Sequence, residues 1–123
     1  MKDHNCLFCK IVAGEEASEK IWENDEFLCI KNKYPAAPIH VLVMPKAHIR
    51  KQEVISGLQN GKFWGKMMSA VFSVVAQLGL DKTVPAGRQA GYKLVNNGAG
   101  YNHFEHEHFH VLGGSKTEPG GTT

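Results

Sequence analysis

Hydrophobic residues occur along the chain mostly in short runs bounded by turn-forming residues. Runs of this kind predict strands over 20–24, 26–32, 40–44 and 92–96, with a fifth strand ending at Gly113-Gly114. The run His-Val-Leu-Val-Met at 40–44 is almost continuously apolar, and Pro45 follows it. It therefore predicts a central strand that is buried on both faces.

One longer stretch has helical spacing instead. From about Gly57 to Leu80 the valines, methionines and leucines recur every three or four residues, which predicts a long helix with one buried face. Three glycines weaken its first turns at a cost of about 1 kcal/mol each, so we expect the helix to begin near Phe63 and to end at Gly79. A short N-terminal helix is predicted over 6–14, where a glycine ends it.

These elements predict an α+β fold, an antiparallel sheet of about five strands with one long helix and a short N-terminal helix. The 123 residues suit one domain, which we expect to span residues 1–114. Residues 115–123 are small, polar and glycine-rich and predict a flexible C-terminal tail. Residues 82–91 predict a loop, for which the sequence indicates no role.

Composition and charge exclude several classes of function. The hydrophobic share of 42% and the charged share of 21% are those of an ordinary globular protein. A net charge of +2 gives no basic patch for a nucleic-acid partner, and no apolar run approaches the roughly 20 residues of a membrane span. The N-terminus lacks the apolar core of a signal peptide, and three cysteines imply no disulfide framework. We expect a cytoplasmic protein with reduced thiols.

Three histidines alternate near the C-terminal end, at His106, His108 and His110. In an extended strand they would project from one face, roughly 6.5–7 Å apart. Glu105 and Glu107 are expected on the opposite, more exposed face. A His-rich tract is often an adventitious metal binder, but the strict alternation followed by two aliphatic residues favours a functional site over a merely structural one.

Cys6 and Cys9 form a Cys-x-x-Cys pair near the N-terminus. A redox pair should follow a strand and open a helix, and only five residues precede Cys6. The pair could instead be half of a zinc site, with His48 and His106 as candidate partners. A third interpretation is two plain surface thiols.

These two motifs, together with the segment 38–49, resemble the histidine triad (HIT) family of nucleotide hydrolases and transferases. The alternating histidines followed by Val-Leu resemble that family's signature, and the segment 38–49 resembles its central strand and the turn after it. The opening Cys-Leu-Phe-Cys-Lys-Ile-Val resembles the start of its zinc-binding branch. The resemblance implies a HIT-like fold, a purine nucleotide substrate and a homodimer.

The resemblance also implies a metal site. Cys6, Cys9, His48 and His106 would form a tetrahedral Cys₂His₂ zinc site. Such a site leaves no position for water, so we expect structural Zn²⁺ that ties the N-terminus to the triad.

For catalysis, the resemblance implies nucleotidyl transfer to water at an α-phosphorus. Neutral imidazole is a good nucleophile near neutral pH, and His108 is predicted to attack while its other ring nitrogen donates to a backbone carbonyl. His110 is predicted to hydrogen-bond the phosphate oxygens. His103 stands where the family commonly has a serine, and is either a general acid for the leaving group or a surface residue. His40 is predicted to pack or hydrogen-bond near the site without a chemical role.

Nucleotide contacts are implied at four further positions. Ile30 would lie against the base, and Asn32 stands where the family usually has an acidic residue that holds both ribose hydroxyls. Asn96 matches an asparagine near the phosphate. Asn102 stands where a glutamine is usual, and can still donate to the bridging or leaving oxygen.

We therefore expect a HIT-type hydrolase, either a nucleoside phosphoramidase or a dinucleoside polyphosphate hydrolase. Its reaction would pass through a nucleotidyl-histidine intermediate. Two alternatives stay open: a nucleotide-binding module with little catalysis, and a metal-binding protein in which the histidine cluster itself chelates. The sequence does not indicate the leaving group or the base preference.

Overall fold

The computed structural model describes residues 5–82, 91–98 and 105–114. Asn102, His103, most of the predicted 82–91 loop and the predicted tail lie outside these residues, and the division at residue 114 stays a prediction. The helices are α1 (Leu7–Val12), α2 (Lys51–Ile55) and α3 (Lys62–Gln77), with a 3₁₀ turn at Leu58–Gly61. The strands are β1 (Lys20–Glu23), β2 (Phe27–Lys31), β3 (Ile39–Pro45), β4 (Tyr92–Val95) and β5 (Phe109–Gly113).

The five strands form one antiparallel sheet in the order β1-β2-β3-β5-β4. This confirms the predicted α+β fold, and β3 is the central strand as predicted. The register pairs Leu42 of β3 with His110 of β5 and with Ile30 of β2. β3 runs one residue further than predicted, because Pro45 still pairs with Phe27.

The two faces of the sheet are covered by different helices. On one face α3 packs against Val41, Val43 and Phe109. On the other face α1 packs against Leu28, Leu42 and their neighbours. His110 lies opposite Leu42, so it shares the α1 face.

The long helix begins at Lys62, one residue before the predicted start. Gly61 precedes it with φ +83°, a left-handed conformation that glycine adopts without strain. Gly79, with φ +72°, follows its end as predicted. The helix α2, which is only five residues long, was not predicted from the sequence. Among the described residues, no helix is both long and apolar enough to cross a bilayer.

Candidate functional site

The histidine rings form a continuous row on the α1 face of the sheet. The ring centroids of His108 and His110 lie 5.2 Å apart, and Phe8 of α1 meets the rings of His106 and His108 edge-on at 5.6 and 5.1 Å. Only His110 belongs to β5, since the strand begins at Phe109. The prediction of one regular strand through all three histidines is therefore only partly correct.

Four side chains meet at one end of this row. One ligand atom from each of Cys6, Cys9, His48 and His106 lies within 4.8 Å of the others. Cys9 Sγ is 3.3 Å from His48 Nδ1 and 3.6 Å from His106 Nδ1, and Cys6 Sγ is 3.4 Å from His106 Nδ1. Tetrahedral Zn–S and Zn–N bonds place sulfur and nitrogen about 3.6 Å apart. The donor set and its spacing therefore fit a zinc ion.

The ring of His106 is held from behind. Its Nε2 lies 2.7 Å from the carbonyl oxygen of Pro45, so Nε2–H donates there and Nδ1 faces the sulfurs without a proton. Burial lowers the pKa of His106 to about 4, with a backbone hydrogen bond to Pro45 opposing this shift. The ring is therefore neutral at pH 7, which is the form that binds a metal.

His108 has a fixed tautomer. Its Nδ1 lies 2.8 Å from the carbonyl oxygen of His106, where only an N–H can make the hydrogen bond. The proton is therefore on Nδ1, and Nε2 carries a lone pair. Burial lowers the pKa of this buried ring, which favours the neutral form. A backbone-bonded nitrogen is what the sequence analysis expects of a nucleophile, although the catalytic role stays a prediction.

His110 takes its tautomer from His40. The Ala36 amide donates to His40 Nδ1 at 2.9 Å, so the proton of His40 is on Nε2. That Nε2 lies 2.9 Å from His110 Nδ1 and donates to it, which leaves His110 with Nε2–H as a donor. Burial, together with His108 and His40, lowers the pKa of His110 to about 4. His110 therefore donates as a neutral ring.

A buried polar cluster lies beside the triad. Lys51 Nζ lies 2.7 Å from Glu107 Oε2 and also donates to Asn96 Oδ1. Asn96 Nδ2 donates to Glu107 Oε2 at 3.2 Å and to the carbonyl oxygen of His108 at 2.9 Å. The expectation that Glu107 is exposed is wrong, because it is 1% exposed. Glu105 is exposed as expected.

The remaining nucleotide-binding candidates lie near the other end of the row. Ile30 is buried with Leu42 on the α1 face. Asn32 Oδ1 accepts the Tyr34 amide at 2.9 Å, and its Nδ2 lies 3.3 Å from His40 Nε2. The binding roles of Ile30, Asn32 and Asn96 stay predictions, as do those of Asn102 and His103 outside the described residues.

The prediction that His40 hydrogen-bonds near the site is confirmed, because its Nε2 bonds His110 Nδ1. One residue of the site, Lys51, was not predicted from the sequence. Lys51 gave no signal, because its partners lie 45 and 56 positions away in the chain.

Known proteins of one family are similar to this chain over most of its length. The HIT domain model matches residues 13–117. Protein HitA of Neisseria gonorrhoeae is 34% identical over 111 residues, which cover 89% of this chain and 95% of that protein. The structure of a HIT family hydrolase from Clostridium thermocellum is 33% identical with a TM-score of 0.78, covering 96% of this chain and 97% of that one. Adenosine 5′-monophosphoramidase HINT3 of Mus musculus is 45% identical over 49 residues, 38% of this chain and 30% of that protein.

Proposed function

Because the chain belongs to the HIT family and carries the Cys/His cluster of its zinc-binding branch, we propose that it is a nucleotide hydrolase that acts through a nucleotidyl-histidine intermediate. The proposed substrate is a purine nucleoside phosphoramidate or a related nucleotide derivative. The partial match to an adenosine 5′-monophosphoramidase supports this class of substrate. The observation that carries the proposal is the hydrogen bond between His108 Nδ1 and the His106 carbonyl oxygen.

That bond makes His108 Nε2 the attacking atom. In the first step its lone pair forms a bond to the α-phosphorus, and the bond from phosphorus to the leaving group breaks. The departing amine takes a proton from a general acid, for which His103 is the candidate from sequence. In the second step water attacks the same phosphorus and gives a proton to the group that protonated the amine. The P–N bond to His108 breaks, its electron pair returns to Nε2, and the nucleoside monophosphate leaves.

His110 supplies a hydrogen bond without supplying charge. Since its Nδ1 accepts from His40, its Nε2–H is free to donate to a phosphate oxygen. The negative charge on the phosphoryl oxygens grows in the transition state, and a donor already in place stabilises it without reorganisation. His40 acts through His110 and is therefore a positioning residue.

We propose Zn²⁺ at Cys6, Cys9, His48 and His106 as a structural ion. Bound there, it supplies a covalent tether and no catalytic step, because four protein ligands leave no open position. The four residues would hold the start of α1 against the triad, with Phe8 packed on the rings of His106 and His108. The homodimer, the cytoplasmic location and the division into a 1–114 domain and a tail are also proposals, supported by the family and by the sequence.

The test is turnover of adenosine 5′-phosphoramidate by the purified chain. We expect His108→Asn to abolish product formation, while the protein stays folded and keeps its zinc. His110→Asn is the matched comparison, because it removes a donor but leaves the nucleophile and should retain measurable turnover. Unchanged rates in His108→Asn would refute the assigned role.

A nucleotide-binding module with little catalysis is the second candidate. It is favoured by Asn32, which stands in place of the family's acidic residue and whose Oδ1 is already bonded to the Tyr34 amide. Calorimetry that detects binding of adenosine monophosphate, with no turnover of phosphoramidates or dinucleoside polyphosphates, would support this alternative.

A further inference from the structure

The segment that carries His106 and His108 lies just before β5, where strand pairing does not reach. The paired residues of β5 begin at Phe109, opposite Val43. Upstream of it, the backbone is held by other bonds: the Glu107 amide donates to the Ile49 carbonyl at 2.7 Å, and Asn96 Nδ2 donates to the His108 carbonyl at 2.9 Å. The Asn96 amide therefore replaces a ladder bond at the residue that attacks.

An asparagine side chain can fill its site in two orientations that differ by a flip of oxygen and nitrogen. In one, the nitrogen faces the His108 carbonyl and bonds to it. In the other, oxygen faces oxygen and the bond is lost. The His108 carbonyl, which only accepts, therefore favours the first orientation by about one hydrogen bond, roughly 1 kcal/mol, and further partners can strengthen that preference.

Lys51 and Glu107 strengthen that preference. A lysine ammonium only donates, so it fixes Asn96 Oδ1 toward itself. A carboxylate only accepts, so Glu107 Oε2 fixes Nδ2 on the opposite side. Both charged side chains are nearly inaccessible, at 8% and 1% side-chain exposure, and Asn96 is itself partly buried, so the access of water to these bonds is restricted.

The free energy of folding alone does not account for this buried ion pair. Replacing a buried ion pair by apolar residues of similar volume is often neutral or stabilising, because both charges lose their hydration. Glu107 lies between two of the alternating histidines, on the opposite face. The next two residues on that face, Phe109 and Val111, are apolar and belong to the core. The pair is explained by its hydrogen bonds to Asn96, because a lysine that only donates and a carboxylate that only accepts fix the direction of the amide between them.

We propose that Lys51 and Glu107 position the nucleophile, by holding the Asn96 amide in the one orientation that bonds the His108 backbone. This inference rests on the proposed function for its kinetic test. It makes Lys51 and Glu107 positioning residues that touch neither substrate nor reacting atoms.

The test separates the charge of the pair from its orienting effect. Lys51→Glu combined with Glu107→Lys keeps an ion pair but reverses both directions, so the Asn96 amide should flip and place Oδ1 against the His108 carbonyl. We expect kcat to fall by roughly tenfold to a hundredfold, as for other small misplacements of a reacting group, with KM within about threefold. Glu107→Gln removes the charge but keeps an acceptor, and Lys51 still orients Asn96, so kcat should stay within about threefold while the thermal midpoint falls.

Lys51→Met combined with Glu107→Leu is the variant to use if the reversed pair fails to fold. It leaves the Asn96 amide oriented by the His108 carbonyl alone, so kcat should fall by less than in the reversed pair while zinc content and KM are retained. The control is Lys66→Met with Glu26→Gln, which removes an exposed ion pair and should change neither constant. Wild-type kcat in the reversed pair or in the apolar pair would overturn the proposal, as would a loss of kcat in Glu107→Gln equal to that in the reversed pair.

A readout that needs no turnover keeps the two proposals distinguishable. The ¹³C shift of the His108 backbone carbonyl reports whether that oxygen accepts a hydrogen bond. We expect the shift of a bonded carbonyl in wild type and in Glu107→Gln, and the shift of an unbonded carbonyl in the reversed pair. If wild type hydrolyses no substrate, the proposed function fails, and these shifts alone decide the positioning role: identical His108 shifts in all variants would overturn it.

Discussion

Acid should destabilise this protein through His110, and the size of the effect can be worked out from the site. The ring is partly buried, and its Nδ1 already accepts a proton from His40 at 2.9 Å. Protonating Nδ1 would place two N–H groups against each other. Burial, together with the neighbouring rings of His108 and His40, lowers the pKa of His110 from an ordinary 6.5 to about 4 in the folded chain.

The sign follows from proton linkage. Between about pH 6.5 and pH 4 the unfolded chain binds a proton at this position and the folded chain does not, so acid favours unfolding. The stability contributed by the neutral ring is present above pH 6.5 and is lost as the pH falls toward 4. A shift of about 2.5 units at 1.36 kcal/mol each sets an upper limit of about 3.4 kcal/mol. Solvent screening of a partly exposed ring reduces this, and we expect about 1.5–2 kcal/mol.

The assay is urea unfolding of wild type and of His110→Asn at several pH values from 7.5 to 4. Asparagine does not titrate, and its side-chain oxygen lies near the position of Nδ1. Acid release of metal affects both proteins, so it cancels in the difference between them. Wild type should lose about 1.5–2 kcal/mol more than the variant over this range. Parallel curves, or a wild type that gains stability relative to the variant, would refute the reasoning.

Two further predictions concern the core and the metal site. Met67→Ala removes a fully buried side chain from α3 and should lower the free energy of unfolding by about 2–5 kcal/mol, whereas Phe72→Ala on the exposed side of the same helix should lower it far less. Equal losses of the two variants in urea titrations would contradict the packing described. Cys9→Ser should reduce bound zinc from one per chain to near zero and lower the thermal midpoint, whereas Cys29→Ser, in the core on the α3 side of the sheet, should retain zinc. Metal analysis that finds several ions per chain, and finds them also in Cys9→Ser, would favour chelation by the triad instead.

Local patterns predicted the five strands and the helices α1 and α3, because each of these elements carries its own signal. The apolar run at 40–44 identified the central strand, and Gly61 and Gly79 marked the ends of α3, where positive φ angles require glycine. The strand containing His110 was found from its alternation, but the position where pairing starts was not. β3 itself continues to Pro45, but its pairing with β5 begins only at Phe109, and no local pattern in the sequence reports where that pairing begins.

The site was predictable to the extent that family motifs or periodicity reached it. Cys6, Cys9, His48 and His106 were grouped by resemblance, and the structure brings them together. Glu107 was misplaced because a carboxylate next to a histidine tract looks solvent-exposed. The buried carboxylate pairs with Lys51, which belongs to a five-residue helix and lies 56 positions away in the chain.

The central claim is that His108 carries the nucleotide during turnover. The most direct measurement is rapid mixing with adenosine 5′-phosphoramidate, an alkaline denaturing quench that preserves a phosphorus–nitrogen bond, and intact-protein and peptide mass spectrometry. The account predicts a nucleotidyl adduct on His108 that appears within one turnover, persists in His110→Asn and is absent in His108→Asn. Turnover with no adduct, or an adduct on any other residue, would contradict it.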